Sequence, residues 1–310
     1  MELNLQTKLN PDLIKDQLNK SGHILYRGLN IETDEKFRNA ISNTGLKMTP
    51  YLGGSTDRNS LSENVYEATP VPGHVMIPLH SEMSYSSLYP RWIFFYCHKP
   101  SKQGGETTLV DNREVLKSLP LPLVKNFEEK QLLVWRKMHH FSKWKKMITS
   151  ILKDSLIKSW QETYLTNDIN TVNSFLDENK IEYKWTNQGL EIKEYLPATR
   201  SHPDTNDQVW FNQAPIFSPT KNVFPFLVNL VRNLIIGKGD DAKLGCKYGN
   251  GQGIEREFID TIFSTTQELM TPVKWQKGDF LIIDNILCGH GRLPFRGHRD
   301  IRVAMGRDIT

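Results

Sequence analysis

The chain has 310 residues, of which 38% are hydrophobic and 24% are charged, and its mean hydropathy is −0.48. This balance is typical of a globular protein with a sizeable core, and it excludes disordered, collagen-like and coiled-coil proteins. No apolar run approaches the roughly 20 residues that a membrane-spanning helix needs. The length is compatible with one large domain or with two small ones.

The charge is nearly balanced, because the chain has 39 Lys and Arg residues and 35 Asp and Glu residues, which gives a net charge of +4. A surplus this small, spread along the chain, does not indicate a nucleic-acid partner. The densest basic stretch contains Lys143, Lys145 and Lys146. Such a stretch is typical of a solvated helix face, and the alternative is a docking patch for an acidic partner such as a carrier protein.

The three cysteines are an odd number and lie far apart, at Cys97, Cys246 and Cys288. This spacing favours reduced thiols over a disulfide framework or a zinc site. The N-terminus has no basic region followed by an apolar stretch, so no signal peptide is expected. Together these features predict a cytoplasmic protein.

In chain order, the pattern first predicts a helix over residues 11–19, a strand over 23–28 and a second helix over 34–42. Residues 65–110 then read as short strands interrupted by Pro and Gly, of which 91–96 is the clearest. This first third of the chain therefore alternates between helices and buried strands.

The remaining elements are expected as follows: a helical region rich in Lys, Glu and Asn from about 113 to 179, strands at 181–185 and 190–193, a partly buried helix at 224–236, and strands at 279–284 and 301–305. Strands at both ends thus flank a helical middle. We therefore expect one domain over 1–310 with a helical insertion at about 114–180. The predicted fold is mainly β, a sandwich or jelly roll with helical insertions.

His80, Ser81 and Glu82 form the sharpest local feature. Residues two apart on a strand point to the same side, so the imidazole and the carboxylate would converge. Divalent transition metals accept such mixed nitrogen and oxygen ligands. A His-x-Glu triplet is nevertheless common by chance, and alone it does not establish a metal site.

His290 follows an apolar strand near the C-terminus, and Arg299 comes nine residues later. A second His with a nearby Arg is what a two-His, one-carboxylate iron site with an organic-acid cosubstrate needs. A guanidinium matches both oxygens of a carboxylate and stays charged when desolvated. Residues 104–107 begin with two glycines, which suit a tight turn. Thr107 follows them, and its hydroxyl could bind the carboxylate of the cosubstrate. The alternative is a turn with no role in binding.

With these motifs the chain resembles the taurine dioxygenase (TauD/TfdA)/clavaminate synthase-like superfamily of iron(II)- and 2-oxoglutarate-dependent oxygenases. Within it, the sequence is most similar to the group around the syringomycin-biosynthesis protein SyrP, which carries His-x-Glu in place of His-x-Asp. The resemblance covers residues from about 20 to 306 and is weakest in the helical middle. The matching stretches are 51–54, 79–86, 89–92, 104–107, 209–213, 275–279 and 284–295.

The resemblance implies a double-stranded β-helix (jelly-roll) core and a metal centre in which His80, Glu82 and His290 bind iron(II). Relatives often have Asn between the first two ligands, where this chain has Ser81. The side chain there is expected to point away from the metal. Related halogenases replace the carboxylate ligand with a small residue, so Glu82 argues against halogenation.

The resemblance also implies that Arg299 binds the distal carboxylate of 2-oxoglutarate, with Thr107 assisting. Arg302 is the rival for this role, but strand alternation places it on the opposite face from Arg299. We prefer Arg299 because it opens the last strand, as the family's arginine does. Arg292, two residues past the third ligand, is a candidate for contacting the substrate or supporting the site.

The implied enzyme is a 2-oxoglutarate-dependent non-haem iron dioxygenase that uses iron(II), 2-oxoglutarate and O2. Its expected reaction is hydroxylation of an unactivated C–H bond in a small molecule of specialised metabolism, such as antibiotic biosynthesis. The substrate would be an amino acid or an amino-acid-derived group, free or tethered to a carrier protein, with no nucleic-acid or membrane partner. The alternatives are desaturation or cyclisation with the same cofactors, a metal-binding jelly-roll protein that does not use 2-oxoglutarate, and a non-catalytic binding module.

Overall fold

The computed structural model describes residues 1–56, 58–68, 71–142, 158–237 and 239–307. Lys143, Lys145 and Lys146, the candidate docking patch, lie outside the described residues. Within the described part of the chain, no helix is both long enough and apolar enough to cross a membrane.

Helices pack against the strands, as the first two do on one face of the larger sheet. In chain order they are α1 (Pro11–Ser21), α2 (Asp34–Ser42), α3 (Asn112–Ser118), α4 (Leu121–Lys130), α5 (Trp160–Tyr164), α6 (Ile169–Glu178), α7 (Ala214–Phe217), α8 (Phe226–Ile236) and α9 (Arg256–Glu268), with a 3-10 turn at Gly239–Asp241. The first two begin at side-chain caps, since Asn10 accepts from the backbone N–H of Asp12 and Thr33 accepts from that of Lys36. Such caps satisfy backbone donors that the first helical turn leaves unpaired.

Two sheets form the jelly-roll core, with strands numbered along the chain. The larger sheet runs in the order β1 (Leu5–Gln6), β2 (His23–Tyr26), β17 (Phe280–Asp284), β7 (Trp92–Lys99), β20 (Asp300–Gly306), β5 (Val65–Glu67) and β4 (Ser60–Ser62), with β3 (Met48–Thr49) also paired to β20. The smaller sheet runs in the order β16 (Thr271–Val273), β9 (Thr107–Asp111), β18 (Cys288–Arg292) and β6 (Ile77–His80). The prediction of a mainly β protein with a jelly-roll core is confirmed.

The central strands of the larger sheet are buried on both faces. On β7, Trp92 and Phe94 pack under α1 and α2, whereas Ile93 and Phe95 belong to the main core cluster, which also contains Leu109 of the smaller sheet. Side chains alternate between faces along a strand, so an uninterrupted apolar run serves two cores. This is why these strands read as continuous apolar runs in the sequence.

A third sheet contains one strand from the region that was expected to be helical, and two of its strands match the strands predicted at 181–185 and 190–193. It runs in the order β11 (Glu182–Thr186), β12 (Gly189–Leu196), β10 (Leu132–His139) and β15 (Leu244–Tyr248), and two short pairs join β13 (Thr199–Ser201) to β14 (Gln208–Trp210) and β8 (Gln103–Gly104) to β19 (Phe295–Arg296). The helical prediction for about 114–180 is therefore wrong for β10. That strand pairs on both sides with segments distant in sequence, and such pairing overrides local helix propensity.

Candidate metal centre

The smaller sheet brings two of the three predicted metal ligands into direct register. β18 lies between β9 and β6, and His290 is paired across the strands with His80. Cross-strand partners share one face of a sheet, and the two imidazole rings have their centroids 4.6 Å apart. Glu82 follows two residues after His80, and its Oε2 lies 3.9 Å from His290 Nε2. One possible ligand atom from each of the three residues lies within 4.8 Å of the other two.

The two imidazoles are in the chemical state that a metal requires. His80 Nδ1 lies 2.8 Å from the carbonyl oxygen of Pro78, which can only accept, so Nδ1 carries the proton and Nε2 keeps its lone pair. Burial lowers the pKa of His80 and holds the pKa of His290 well below its ordinary value, which keeps both rings neutral. Two neutral imidazoles and one carboxylate are the donor set of non-haem iron(II) sites with open coordination positions. The residues present therefore fit the metal.

The Glu82 carboxylate is held by two side chains that were not among the predicted site residues. Arg58 donates from Nη2 to Oε2 at 2.9 Å, and the Tyr51 hydroxyl donates to Oε1 at 3.4 Å. Asn285 fixes the backbone of Glu82, because its Oδ1 accepts from the Glu82 N–H at 2.6 Å and its Nδ2 donates to the carbonyl at 2.9 Å. Tyr51 and Asn285 lie in stretches that match the family, which was a usable signal, whereas nothing in the sequence marked Arg58.

The pair between Arg58 and Glu82 is buried, with side-chain exposures of 5% and 6%. We expect Arg58→Met to lower the free energy of unfolding of the metal-free protein by about 3–5 kcal/mol, because it leaves a buried carboxylate without its partner. The loss should be smaller in protein loaded with iron(II), since the ion compensates the same charge. Urea unfolding under anaerobic conditions, with and without iron(II), measures both values.

The matched control for this prediction is the double variant Arg58→Met/Glu82→Gln. It removes the uncompensated charge, so its metal-free form should recover most of the lost stability. An Arg58→Met variant as stable as the wild type would show that Arg58 does not compensate the Glu82 carboxylate. Equal losses in the single and double variants would show that packing, and not charge, is responsible.

Arg299 and Thr107 meet beside the turn between β8 and β9. Arg299 donates from Nε to the Gly105 carbonyl at 2.9 Å, and its Nη2 lies 3.4 Å from Thr107 Oγ1, which also accepts from Trp275 Nε1 at 3.1 Å. Gly105 has φ +78°, and a Cβ there would come within 3.1 Å of the Arg299 side chain. The turn therefore requires glycine both for its backbone conformation and for the space that Arg299 occupies.

Burial lowers the pKa of Arg299 to about 10, so the guanidinium remains charged at neutral pH. Among the described residues, its hydrogen bonds go to a carbonyl and a hydroxyl and not to a carboxylate. A buried cation without an anionic partner is costly, and an incoming carboxylate would remove that cost. The arrangement suits the distal carboxylate of 2-oxoglutarate.

The two other arginines considered from the sequence, Arg302 and Arg292, are engaged elsewhere. Arg302 forms ion pairs with Asp34 of α2 at 3.1 Å and with Asp300 at 2.7 Å, on the other side of the larger sheet from Arg299. Arg292 donates to three backbone carbonyls within residues 71–75, at 2.6–2.9 Å. Arg292 therefore holds the loop at residues 71–75, which fits a role in supporting the site.

A cavity of about 180 Å³ opens beside His80 and Glu82. Its walls are mostly apolar and come from residues 71–78, from α7 and from α8, and its polar groups include Arg58 and Arg232. The Ser81 side chain takes no part in this lining and instead accepts a hydrogen bond from Asn112 at 2.9 Å. His80 and Glu82, two of the three predicted metal ligands, thus lie at the edge of a space suited to a small, largely apolar molecule.

Comparison with known proteins agrees with this geometry. Residues 2–305 match the family described as "Taurine catabolism dioxygenase TauD, TfdA family". The chain belongs to this family and is a 2-oxoglutarate-dependent non-haem iron dioxygenase.

Two curated relatives cover almost the whole chain. The dapdiamide synthesis protein DdaC of Enterobacter agglomerans is 32% identical over 294 residues, which are 94% of this chain and 84% of that protein. A clavaminate synthase-like protein of Arabidopsis thaliana is 26% identical over 93% of this chain and 82% of its own length. The prediction of the superfamily is confirmed.

Solved structures share the fold at low sequence identity. PvcB, "an Fe, alpha-ketoglutarate dependent oxygenase from an isonitrile synthetic pathway", superposes with a TM-score of 0.51 and 12% identity, covering 97% of this chain and 81% of PvcB. AAD-2, solved with Mn(II) and N-oxalylglycine, gives a TM-score of 0.52 and 14% identity over 100% of this chain and 92% of its own. Both are similar to the present chain in fold.

Proposed function

We propose that this dioxygenase hydroxylates an unactivated C–H bond of an amino acid or amino-acid-derived substrate, and that His80, Glu82 and His290 hold its iron(II). The observation that carries the proposal is the convergence of these three side chains, two of which, His80 and Glu82, line a mostly apolar cavity. A role in the synthesis of a specialised metabolite is supported by the similarity to DdaC, which is named for dapdiamide synthesis.

The bound iron and 2-oxoglutarate would supply the oxidation of the C–H bond, and the chain supplies positions and exclusion of water. The two imidazoles and the carboxylate would leave open positions for cosubstrate and dioxygen on the metal. Arg299 and Thr107 would take the far carboxylate of 2-oxoglutarate. The apolar walls would hold the substrate carbon beside the metal, in a space that admits little water.

Glu82 also bears on the kind of oxidation. A carboxylate from Glu82 occupies the place where related halogenases leave room for chloride, and Arg58 and Tyr51 hold it there. This argues against halogenation. In the proposed hydroxylation, one oxygen atom of O2 enters the substrate, and the other enters succinate, which forms together with carbon dioxide from 2-oxoglutarate.

Anaerobic addition of iron(II) and 2-oxoglutarate to the purified protein tests the metal centre directly. We expect a weak visible charge-transfer band in the wild type, no band in His80→Ala, and an unchanged band in His74→Ala, because His74 is exposed and is not one of the clustered ligands. A well-folded wild-type protein without the band would contradict the proposal. Succinate release across free amino acids and carrier-loaded aminoacyl groups then identifies the substrate.

A further inference from the structure

Arg232 is the only charged residue of α8, and it faces the cavity beside the metal ligands. It lies in the row Val228, Arg232 and Ile236, which are four residues apart, share one face of the helix and all line the cavity. The opposite face of α8 is apolar and exposed, including Phe226 and Leu234. The single cation of this helix is thus directed inward, which is the reverse of an ordinary amphipathic helix.

The Arg232 guanidinium has spare hydrogen-bonding capacity. Its Nη2 donates a hydrogen bond to the Phe217 carbonyl at 3.1 Å. Within the described residues it has no carboxylate partner, and burial alone lowers its pKa to about 10, so it stays charged at neutral pH. None of its nitrogens is both fully buried and unpaired, so the remaining donors are open to solvent or to a ligand. A largely desolvated cation in this state is stabilised by an incoming anion.

The charges that line the cavity favour an anion over a zwitterion. Among the described lining residues, Arg58 and Arg232 are the cations that are always charged and Glu82 is the only acid. Glu82 already pairs with Arg58 and is one of the clustered ligand residues. No carboxylate therefore remains in the described lining to balance an ammonium group of the substrate.

The geometry also limits the kind of anion. A planar guanidinium matches a carboxylate through two parallel hydrogen bonds. Phosphate sites commonly combine several cations, but the charge of the second guanidinium of this cavity, Arg58, is already paired with Glu82. The rest of the lining is mostly apolar, with Val71, Ile216 and Phe224 among its members.

We propose that Arg232 binds the carboxylate of the substrate, and that the substrate is an anion with an apolar body and no free ammonium group. An N-acylated amino acid is the simplest molecule of this class. The inference rests on the proposed function, which places the oxidised carbon beside His80 and Glu82. It narrows the substrate from amino acids in general to their acylated, negatively charged derivatives and similar carboxylic acids.

Isothermal titration calorimetry on the protein loaded anaerobically with iron(II) and 2-oxoglutarate tests this with three matched probes. N-acetyl-L-leucine is an anion, N-acetyl-L-leucinamide is neutral and L-leucine is a zwitterion. We expect the wild type to bind N-acetyl-L-leucine at least about 10-fold more tightly than either of the others, as for a charge-assisted hydrogen bond. Arg232→Gln should weaken binding of N-acetyl-L-leucine to the level of the amide.

The control is Arg256→Gln, the same change at an exposed arginine of α9, which should retain the wild-type preference. Equal binding of the three probes, tighter binding of L-leucine, no measurable binding of N-acetyl-L-leucine, or an anion preference that persists in Arg232→Gln would each overturn the assignment. The charge-transfer band of the wild type separates the two proposals. A normal band without anion preference rejects only Arg232, whereas a missing band rejects the metal centre.

Discussion

Replacing His290 with alanine is expected to weaken iron(II) binding by more than about 100-fold, which exceeds the roughly 10–100-fold cost of losing a partner that only supports a ligand. His290 lies on β18, in register with His80, and its Nε2 faces Glu82. Two ligands without the third leave the ion weakly held. Anaerobic titration against a colorimetric chelator measures the affinity, and succinate formation should fall to background.

The control for this variant is His298→Ala, because His298 is exposed and lies eight residues further along the same part of the chain. It should bind iron(II) as the wild type does. Circular dichroism should show that His290→Ala retains the fold, since the cluster of buried apolar residues around the site is unchanged. Wild-type affinity in a folded His290→Ala protein would remove His290 from the metal centre.

Replacing Arg299 with alanine is expected to raise the KM for 2-oxoglutarate by roughly 30- to 1000-fold, because truncating one member of a buried charge pair costs about 2–4 kcal/mol. The guanidinium lies beside Thr107 and lacks an acidic hydrogen-bond partner among the described residues. The effect should fall on the cosubstrate and leave iron(II) affinity in the absence of 2-oxoglutarate largely intact. Succinate formation at varied 2-oxoglutarate concentration gives the KM.

Arg302→Ala is the matched comparison, since it removes the same side chain three residues away. Arg302 pairs with Asp34 and Asp300, so we expect lower stability and a nearly unchanged KM. The reverse order of effects would show that the cosubstrate lies on the opposite face of the last strand. Arg299→Lys should recover part of the affinity, because it restores the charge without the two-pronged geometry.

Much of the site could be predicted because the signals were local or matched a family. The spacing of His80 and Glu82 predicted two donors on one side of a strand. In the structure β6 ends at His80, and Glu82 lies in the turn that follows it, so the tertiary fold and not the strand period brings the two side chains together. The preference for Arg299 over Arg302 used the same alternation together with the resemblance. The structure places Arg299 beside Thr107 and Arg302 on Asp34, so the two arginines lie on opposite sides of the larger sheet; the role of Arg299 stays a prediction.

The parts that were missed depend on contacts between distant segments. β10 was assigned to a helical region, and it is a strand because β12 and β15 pair with it from both sides. Arg58 has no motif of its own, and its importance follows only from the buried carboxylate 24 residues away. Arg232 has no motif either, and its position follows only from the fold, which places its helix beside the cavity.

By itself, the sequence determined the class of enzyme, the strand-rich core and the residue types able to bind iron and a dicarboxylate. These depend on strand periodicity, donor chemistry and motifs that stay recognisable along the chain. The tertiary structure decided which of these groups meet, as when Asn285 reaches back 203 residues to hold the backbone of Glu82. It also decided which charges are already paired, and among the described residues it left Arg299 and Arg232 without an acidic hydrogen-bond partner. The physical reason is that side-chain direction is set locally, whereas burial and ion pairing are properties of the packed chain.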